Sequence, residues 1–443
     1  MKSFKQRTLT LLLSSLPLFV SATDLSDIYS QALLNDPQYR AAQAALEAAR
    51  EAKPQAWAAW LPQLNFTAQR VDDETETTRS TNVAALPLGA RSSDSDRYIF
   101  SLNQALYNHQ YIVGLRQADD SIAQAVATFK SAHQSLMLRV AEAYFNVLAA
   151  RDSLDFASAE KKAVSEQLHQ TKQRFNVGLT AITDVHEAQA RYDLTVAQEI
   201  VAQNELAISF EALRELTGKV QKDLNTLAEE SPLLPPDPEN IEDWVVTALQ
   251  QNLALIAAEK TMNIASEEVN RQRAGHYPTL DLKATQTNVE GGTFSSTTFD
   301  SEATTVTLEL NVPLFSGGLT SSKTRQAKQN RQQARELYEQ QRRATERQAR
   351  NAYLTLTANI SQVKALKQAL ASSTIALEAT RAGFEVGTRT AVDVLNSQQE
   401  LYRARRNFSR ARYDYILQRL RLQQAAGTLQ QGDMNQVSAW LVN

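Results

Sequence analysis

Between Gly114 and Gly178 the chain runs for 63 residues without a glycine or a proline, and between Gly318 and Gly383 it does so for 64. These two residue types are the strongest interrupters of a helix, so each run reads as one continuous helix. At about 1.5 Å of rise per residue, either run extends roughly 95 Å. No compact domain spans that distance, so the chain must build rods. A second clean run of 39 residues follows each long one, from Gly178 to Gly218 and from Gly387 to Gly427. Matching punctuation in two halves marks an internally duplicated chain.

Leu115, Ile122, Phe129, Leu136, Ala143, Ala150 and Ala157 recur every seven residues, and Val126, Val140, Val147 and Leu154 sit four residues after members of that series. That period of 3.5 is the seam of a coiled coil. Gly218 and Gly427 fall where the shorter helices must stop, as left-handed caps. Between each long and short helix stands a related turn, QRFNVGLTAITDVHEA over 173–188 and AGFEVGTRTAVDVLNS over 382–397. Each turn folds its pair of helices into an antiparallel hairpin, giving four rods per chain.

The division that follows is an export signal over 1–22, a first repeat over 23–231, a proline-rich linker over 232–239, a second repeat over 240–427 and a tail over 428–443. The first repeat carries a strand pair at 63–72 and 97–107, a long helix at 111–177 and a shorter one at 180–217. The second carries strands at 279–288 and 303–315 and helices at 319–386 and 389–426. Lys2, Lys5 and Arg7 precede the apolar stretch Leu9–Val20, and Ser21-Ala22 offers a small-residue cleavage site before Thr23. Removing residues 1–22, which hold three basic side chains and no acidic ones, takes the formal charge from −3 to −6. A mildly acidic exported chain does not suit nucleic acid. The arginines of 325–350 and 403–421 are interleaved with glutamates in the first stretch and read as solvated rod faces.

Cysteine is absent, so the mature chain is held by packing or assembly. Outside the signal, no run of 18 apolar residues exists, and any membrane contact must be made by strands. Strand-like alternation is present. Val306, Leu308, Leu310, Val312 and Leu314 share one face, with Thr305, Thr307, Glu309 and Asn311 on the other. Tyr98, Phe100, Leu102 and Leu106 alternate likewise, as do Leu64 with Phe66 and Leu280 with Leu282. The polar stretches 72–96 and 289–302 read as connections at the outer end. Each strand has the length of a tilted membrane-spanning strand. Four strands cannot close around their own edges in lipid. Two chains supply eight strands and three supply twelve, and only the larger count leaves an open lumen. The fold class expected is therefore an α+β membrane protein, with a trimeric 12-stranded β-barrel continuous with a coiled-coil α-helical barrel. The competing reading is a periplasmic coiled-coil scaffold or adaptor without a pore.

The five histidines (His109, His133, His169, His186 and His276) lack metal-ligand spacing, and neither a phosphate-binding glycine loop nor a nucleophile elbow occurs. An enzyme, a metal centre and a cofactor are accordingly not expected.

The duplicated halves, the strand pairs, the stretch Arg174–Val185 and the stretch Gly387–Leu395 closely resemble the TolC family of outer-membrane efflux channels. The resemblance covers about residues 24–430. It implies a homotrimer in the outer membrane of a Gram-negative bacterium, with a large periplasmic portion. It further implies a periplasmic adaptor and an inner-membrane efflux pump or ABC exporter as partners, and outer-membrane lipid around the barrel. The function implied is a passive exit duct for drugs or proteins in tripartite efflux and type I secretion. The family's long C-terminal extension is not expected in a sequence that stops at Asn443.

By the same resemblance, Val177, Gly178, Leu179, Thr180, Val386, Gly387 and Thr388 are the turns grasped by the adaptor. Asp393 and Asn396 take the two constriction positions where the family carries aspartates, so the field here is weaker. Arg389 is expected to link to Thr183 and Asp184 of a neighbouring hairpin. Phe384 replaces a tyrosine, which removes one hydroxyl link and eases opening.

Overall fold

The computed structural model describes residues 23–80, 85–294 and 297–442; the export segment lies outside them. Four rods dominate. Helix α4 (His109–Asn176) and α5 (Ile182–Thr217) form one hairpin, and α8 (Leu319–Glu385) and α9 (Ala391–Ala426) form the other. Asn108 starts α4 by accepting a hydrogen bond from the Gln110 amide, and Gly218 and Gly427 end α5 and α9 with φ of 68° and 80°. Only glycine adopts that left-handed conformation at little cost. The shorter helices begin at 182 and 391, two residues later than their breaker pattern predicts, because Ala181 and Thr390 are extended N-cap residues.

Side by side, the rods run in the order α5, α4, α9, α8. Helices α1 (Leu25–Asn35), α2 (Pro37–Arg50) and α3 (Ala52–Ala58) lie along α4. Helix α6 (Ile241–Gln251) packs on α8 and α9, and α7 (Leu253–Arg273) fits between α4 and α8 nearer the strands. Thus each long helix has a hairpin partner along one half and other helices along the other. Gln117 and Gln124 of α4 tie that second half to Glu268 and Thr261 of α7 at 3.0 and 2.9 Å.

Strands β1 (Gln63–Ser80), β2 (Ala85–Tyr107), β4 (Thr279–Phe294) and β5 (Thr297–Asn311) make one antiparallel sheet in the order β1-β2-β4-β5. Its register lines up Phe66 with Phe100, Leu102 with Ala284, Leu282 with Leu308 and Leu280 with Leu310, so one apolar face crosses all four strands. Leu64, Phe66, Phe100, Val306, Leu308 and Leu310 stand exposed on it. The opposite face carries Asn65, Ser101, Thr285 and Thr305, and there Lys283 reaches Glu309 at 2.8 Å.

Three expectations for the strands need correction. Most of 72–96 and 289–302 is strand rather than connection, with Asp72 paired to Asp94 and Gly292 to Phe299. A ribbon polar on both faces holds itself by backbone bonds and leaves no alternation to read. Strand β5 stops at Asn311, short of the expected 315, because Pro313 has no amide to continue the ladder. Leu106 is the extra residue of a β-bulge, and Tyr107 stands opposite Leu280 in its place.

A belt halfway along the rods holds the main core. Leu25, Ile28 and Tyr29 of α1 and Leu213 of α5 pack with α4, whose Leu136, Met137, Tyr144, Phe145 and Leu148 are all buried, and Trp244 of α6 belongs to the same core. The heptad seam alone names only Leu136 among these five, because the belt wraps α4 on several sides. The tail contributes: α10 (Gln431–Ser438) inserts Met434 and Val437, and the two-residue strands β3 (Thr226–Leu227) and β6 (Leu441–Val442) pair. The Tyr144 hydroxyl donates to the Asn225 carbonyl at 2.8 Å. Tyr415 holds the proline-rich linker, accepting from the Leu234 amide at 2.8 Å and donating to its carbonyl at 3.0 Å.

Candidate functional site at the hairpin tips

The two turns fold alike. Gly178 has φ of 76° and Gly387 of 83°; their amides donate to the carbonyls of Phe175 and Phe384 at 2.9 and 3.2 Å. The next amides, of Leu179 and Thr388, reach back to Arg174 and Gly383, both at 2.8 Å. These bonds satisfy the last carbonyls of the long helices. A side chain on Gly178 or Gly387 would meet nothing within 4 Å, so the glycines serve the backbone angle and no close contact. Val177, Leu179 and Val386 are exposed beside them, 68 to 76% open to solvent, and Thr388 is exposed as well. The Thr180 hydroxyl donates to the Asp184 carboxylate.

Packing sets the hairpins next to one another. Leu395 of α9 enters the cluster of Val164, Leu168 and Ala188 from the other hairpin. Phe384 packs on Leu377, Val394 and Leu401 within its own. The Arg174 guanidinium lies over the Phe384 ring, 4.3 Å from its centre.

Asp393 closes a capping box. Its carboxylate accepts from the Thr390 amide at 2.9 Å and the Thr390 hydroxyl at 3.0 Å, while its own amide donates to that hydroxyl at 3.2 Å. The backbone bond from Thr390 first, then its hydroxyl and the neighbouring Arg389 charge, hold the Asp393 carboxyl below its usual range. It is a stable anion at neutral pH. Asn396, one turn on and exposed, accepts from the Arg191 guanidinium of α5 at 3.0 Å.

Arg389 folds its aliphatic stem over Gly383, where even a Cβ would come within 2.8 Å of Arg389 Cγ. Within one chain it is not hydrogen-bonded to Thr183 or Asp184, and among the described residues it forms no ion pair. Arg174 and Arg191 were missed by sequence reasoning. Arg174 stood inside the turn motif without a reason to single it out. Arg191 lies two turns after Asp184 on the same helix face, a spacing that flags it only once Asn396 is known to lie opposite.

The sequence profile of the family described as outer membrane efflux protein matches residues 28–219 and 244–428. The chain belongs to that family. This outer membrane efflux protein is 40% identical to the outer membrane protein TolC of Vibrio cholerae, over 96% of this chain and 98% of that one. It is 33% identical to TolC of Escherichia coli, covering 98% and 88% of the two. The alkaline protease secretion protein AprF of Pseudomonas aeruginosa is 32% identical, with 95% and 88% covered. Among solved structures, the Campylobacter jejuni CmeC outer membrane channel superposes with a TM-score of 0.78 over 100% of this chain and 98% of that one, at 16% identity. The Vibrio cholerae outer membrane protein VceC gives 0.77 over 91% and 96%, at 19%. The efflux protein therefore has the channel fold of these structures, and its place is the outer membrane.

Proposed function

We propose that three copies of this efflux protein assemble into a passive exit duct for tripartite efflux and type I secretion. Their sheets would close into one twelve-stranded barrel above a tunnel of twelve helices. The observation that carries this reading is the sheet register, which gathers Phe66, Phe100, Leu282, Leu308 and Leu310 on one exposed face while leaving β1 and β5 as open edges. Lipid suits the apolar face but does not tolerate the open edges, and joining β5 of one copy to β1 of the next closes them while leaving the apolar face toward the bilayer. The lateral order of the rods fits, since α5 and α8 are the free flanks that adjoining copies bring together. Like bonding in the two turns supports an origin by internal duplication.

The relatives named for protease secretion support protein cargo, and those named for efflux support small molecules. A periplasmic adaptor seats on the exposed apolar turns 177–180 and 386–388, and an inner-membrane pump or ABC exporter supplies the energy. At the tips, three Asp393 carboxylates form an electronegative constriction with Asn396 as its second level. Arg389 reaches Thr183 and Asp184 of the next copy across the α8–α5 seam and holds the tunnel closed.

Native mass measurement in detergent and planar-bilayer recording of the mature protein test the assembly. A trimer that conducts is expected; a single copy, monodisperse in plain buffer, rules the duct out.

A further inference from the structure

The hydrogen bond from Arg191 to Asn396 joins the two hairpins at the level where the constriction narrows. Arg191 belongs to α5 and Asn396 to α9, and their 3.0 Å contact crosses the groove between them. The acceptor is a neutral amide, and Arg191 forms no ion pair among the described residues, so its charge is not cancelled locally. On α9 near this contact, Arg403 pairs with Glu400, Arg406 with Glu160 and Arg410 with Asp414, so their charges are balanced where that of Arg191 is not. Asn396 lies on the stripe of α9 that continues through Glu400, Arg403, Asn407 and Arg410, all exposed and spaced three and four apart. Asp393 stands one turn before it on the same face, half-exposed and ionised.

We infer that Arg191 is a selectivity-determining residue of the constriction: pinned by Asn396, it sets a fixed positive charge one turn from Asp393 and offsets the acidic ring. This rests on the proposed placement of Asp393 at the narrow end. Asn396, to which the Arg191 guanidinium is bonded, follows Asp393 by one helical turn, about 5.4 Å of rise, and physiological salt screens over roughly 8 Å, so an ion held at this level feels both charges. An aspartate at 396 would neutralise Arg191 through a paired contact; the amide instead holds the guanidinium in place and leaves its field intact. In a trimer three such cations face three Asp393 anions. The constriction is then less acidic than Asp393 alone would make it, binds multivalent cations more weakly and passes anionic cargo more readily than a purely acidic ring does.

Planar-bilayer recordings of the whole protein, with a trivalent cobalt complex as blocker, decide the matter. Arg191→Gln is expected to tighten block by about threefold or more and to shift the reversal potential toward cation selectivity. Arg191→Lys, which keeps the charge, is expected to stay within about twofold of the unmodified protein. Arg191→Gln with unchanged block and reversal potential overturns the inference. Asp393→Asn separates the two readings: if it alone weakens block, the acidic constriction stands and the role of Arg191 falls. If neither variant changes block, both fall.

Discussion

Arg174 lays its guanidinium across the Phe384 ring at 4.3 Å, joining the end of one long helix to the end of the other. The tyrosine hydroxyl expected from the family at this position is absent, yet the ring still makes a link, through its face. Such a contact is worth about 0.5 to 1 kcal/mol at an exposed site. Arg174→Gln is expected to raise the open population at rest by about twofold to fivefold, read as closed-state conductance in single-channel records. Phe384→Tyr keeps the ring face and is expected to leave that conductance no higher.

Among the described residues Arg389 forms no ion pair, and its stem is fixed over Gly383. If it closes the seam between copies, Arg389→Ser increases resting conductance while the trimer stays intact by native mass. Unchanged conductance in a correctly assembled trimer excludes the link.

The glycines separate turn from core. On Gly427 a Cβ would sit 2.2 Å from the Gln251 carbonyl oxygen, whereas on Gly178 and Gly387 it would meet nothing within 4 Å. Gly178→Ala and Gly387→Ala carry only left-handed strain, about 1 to 2 kcal/mol each, and are expected to assemble. Gly427→Ala must displace backbone and is expected to lose most assembled trimer. Immunoblots of unheated outer-membrane fractions distinguish the two outcomes.

Asp36 is a buried carboxylate that accepts from the two terminal guanidinium nitrogens of Arg139, at 2.7 and 3.2 Å, and from the Tyr39 amide at 2.8 Å. Burial alone pushes its carboxyl up; the Arg139 bond and the Tyr39 amide outweigh that and hold it below the usual range. A depressed folded-state value gives stability that is present above the unfolded value of about 3.9 and is lost as pH falls through the folded one. Thermal denaturation followed by circular dichroism is expected to show a drop in midpoint below about pH 4, reduced in Asp36→Asn. Arg139→Met leaves the carboxylate buried without its cation and is expected to cost about 3 kcal/mol at pH 7.

Much of the architecture was legible in the linear order of residues, because rods, glycine stops and turns are local matters of spacing and backbone freedom. The 63 residues between Gly114 and Gly178 announced α4, and alternation from Val306 to Leu310 announced the exposed apolar face of β5. Of the site, the two glycine turns were readable because each is built within a few residues. The outer halves of the sheet ribbon were not, since strands polar on both faces are held by cross-strand backbone bonds that leave no side-chain period.

Tertiary structure alone decided which distant residues meet. Arg191 and Asn396 are 205 positions apart, and packing between the hairpins, such as Leu395 among Val164, Leu168 and Ala188, sets their helices side by side. It also decided that the tail is part of the belt, where Ser438 bonds Asp24 from the other end of the chain. Periodicity tells a segment which of its faces to bury. Which partner covers that face depends on contacts made across hundreds of residues, and these form only when the whole chain packs.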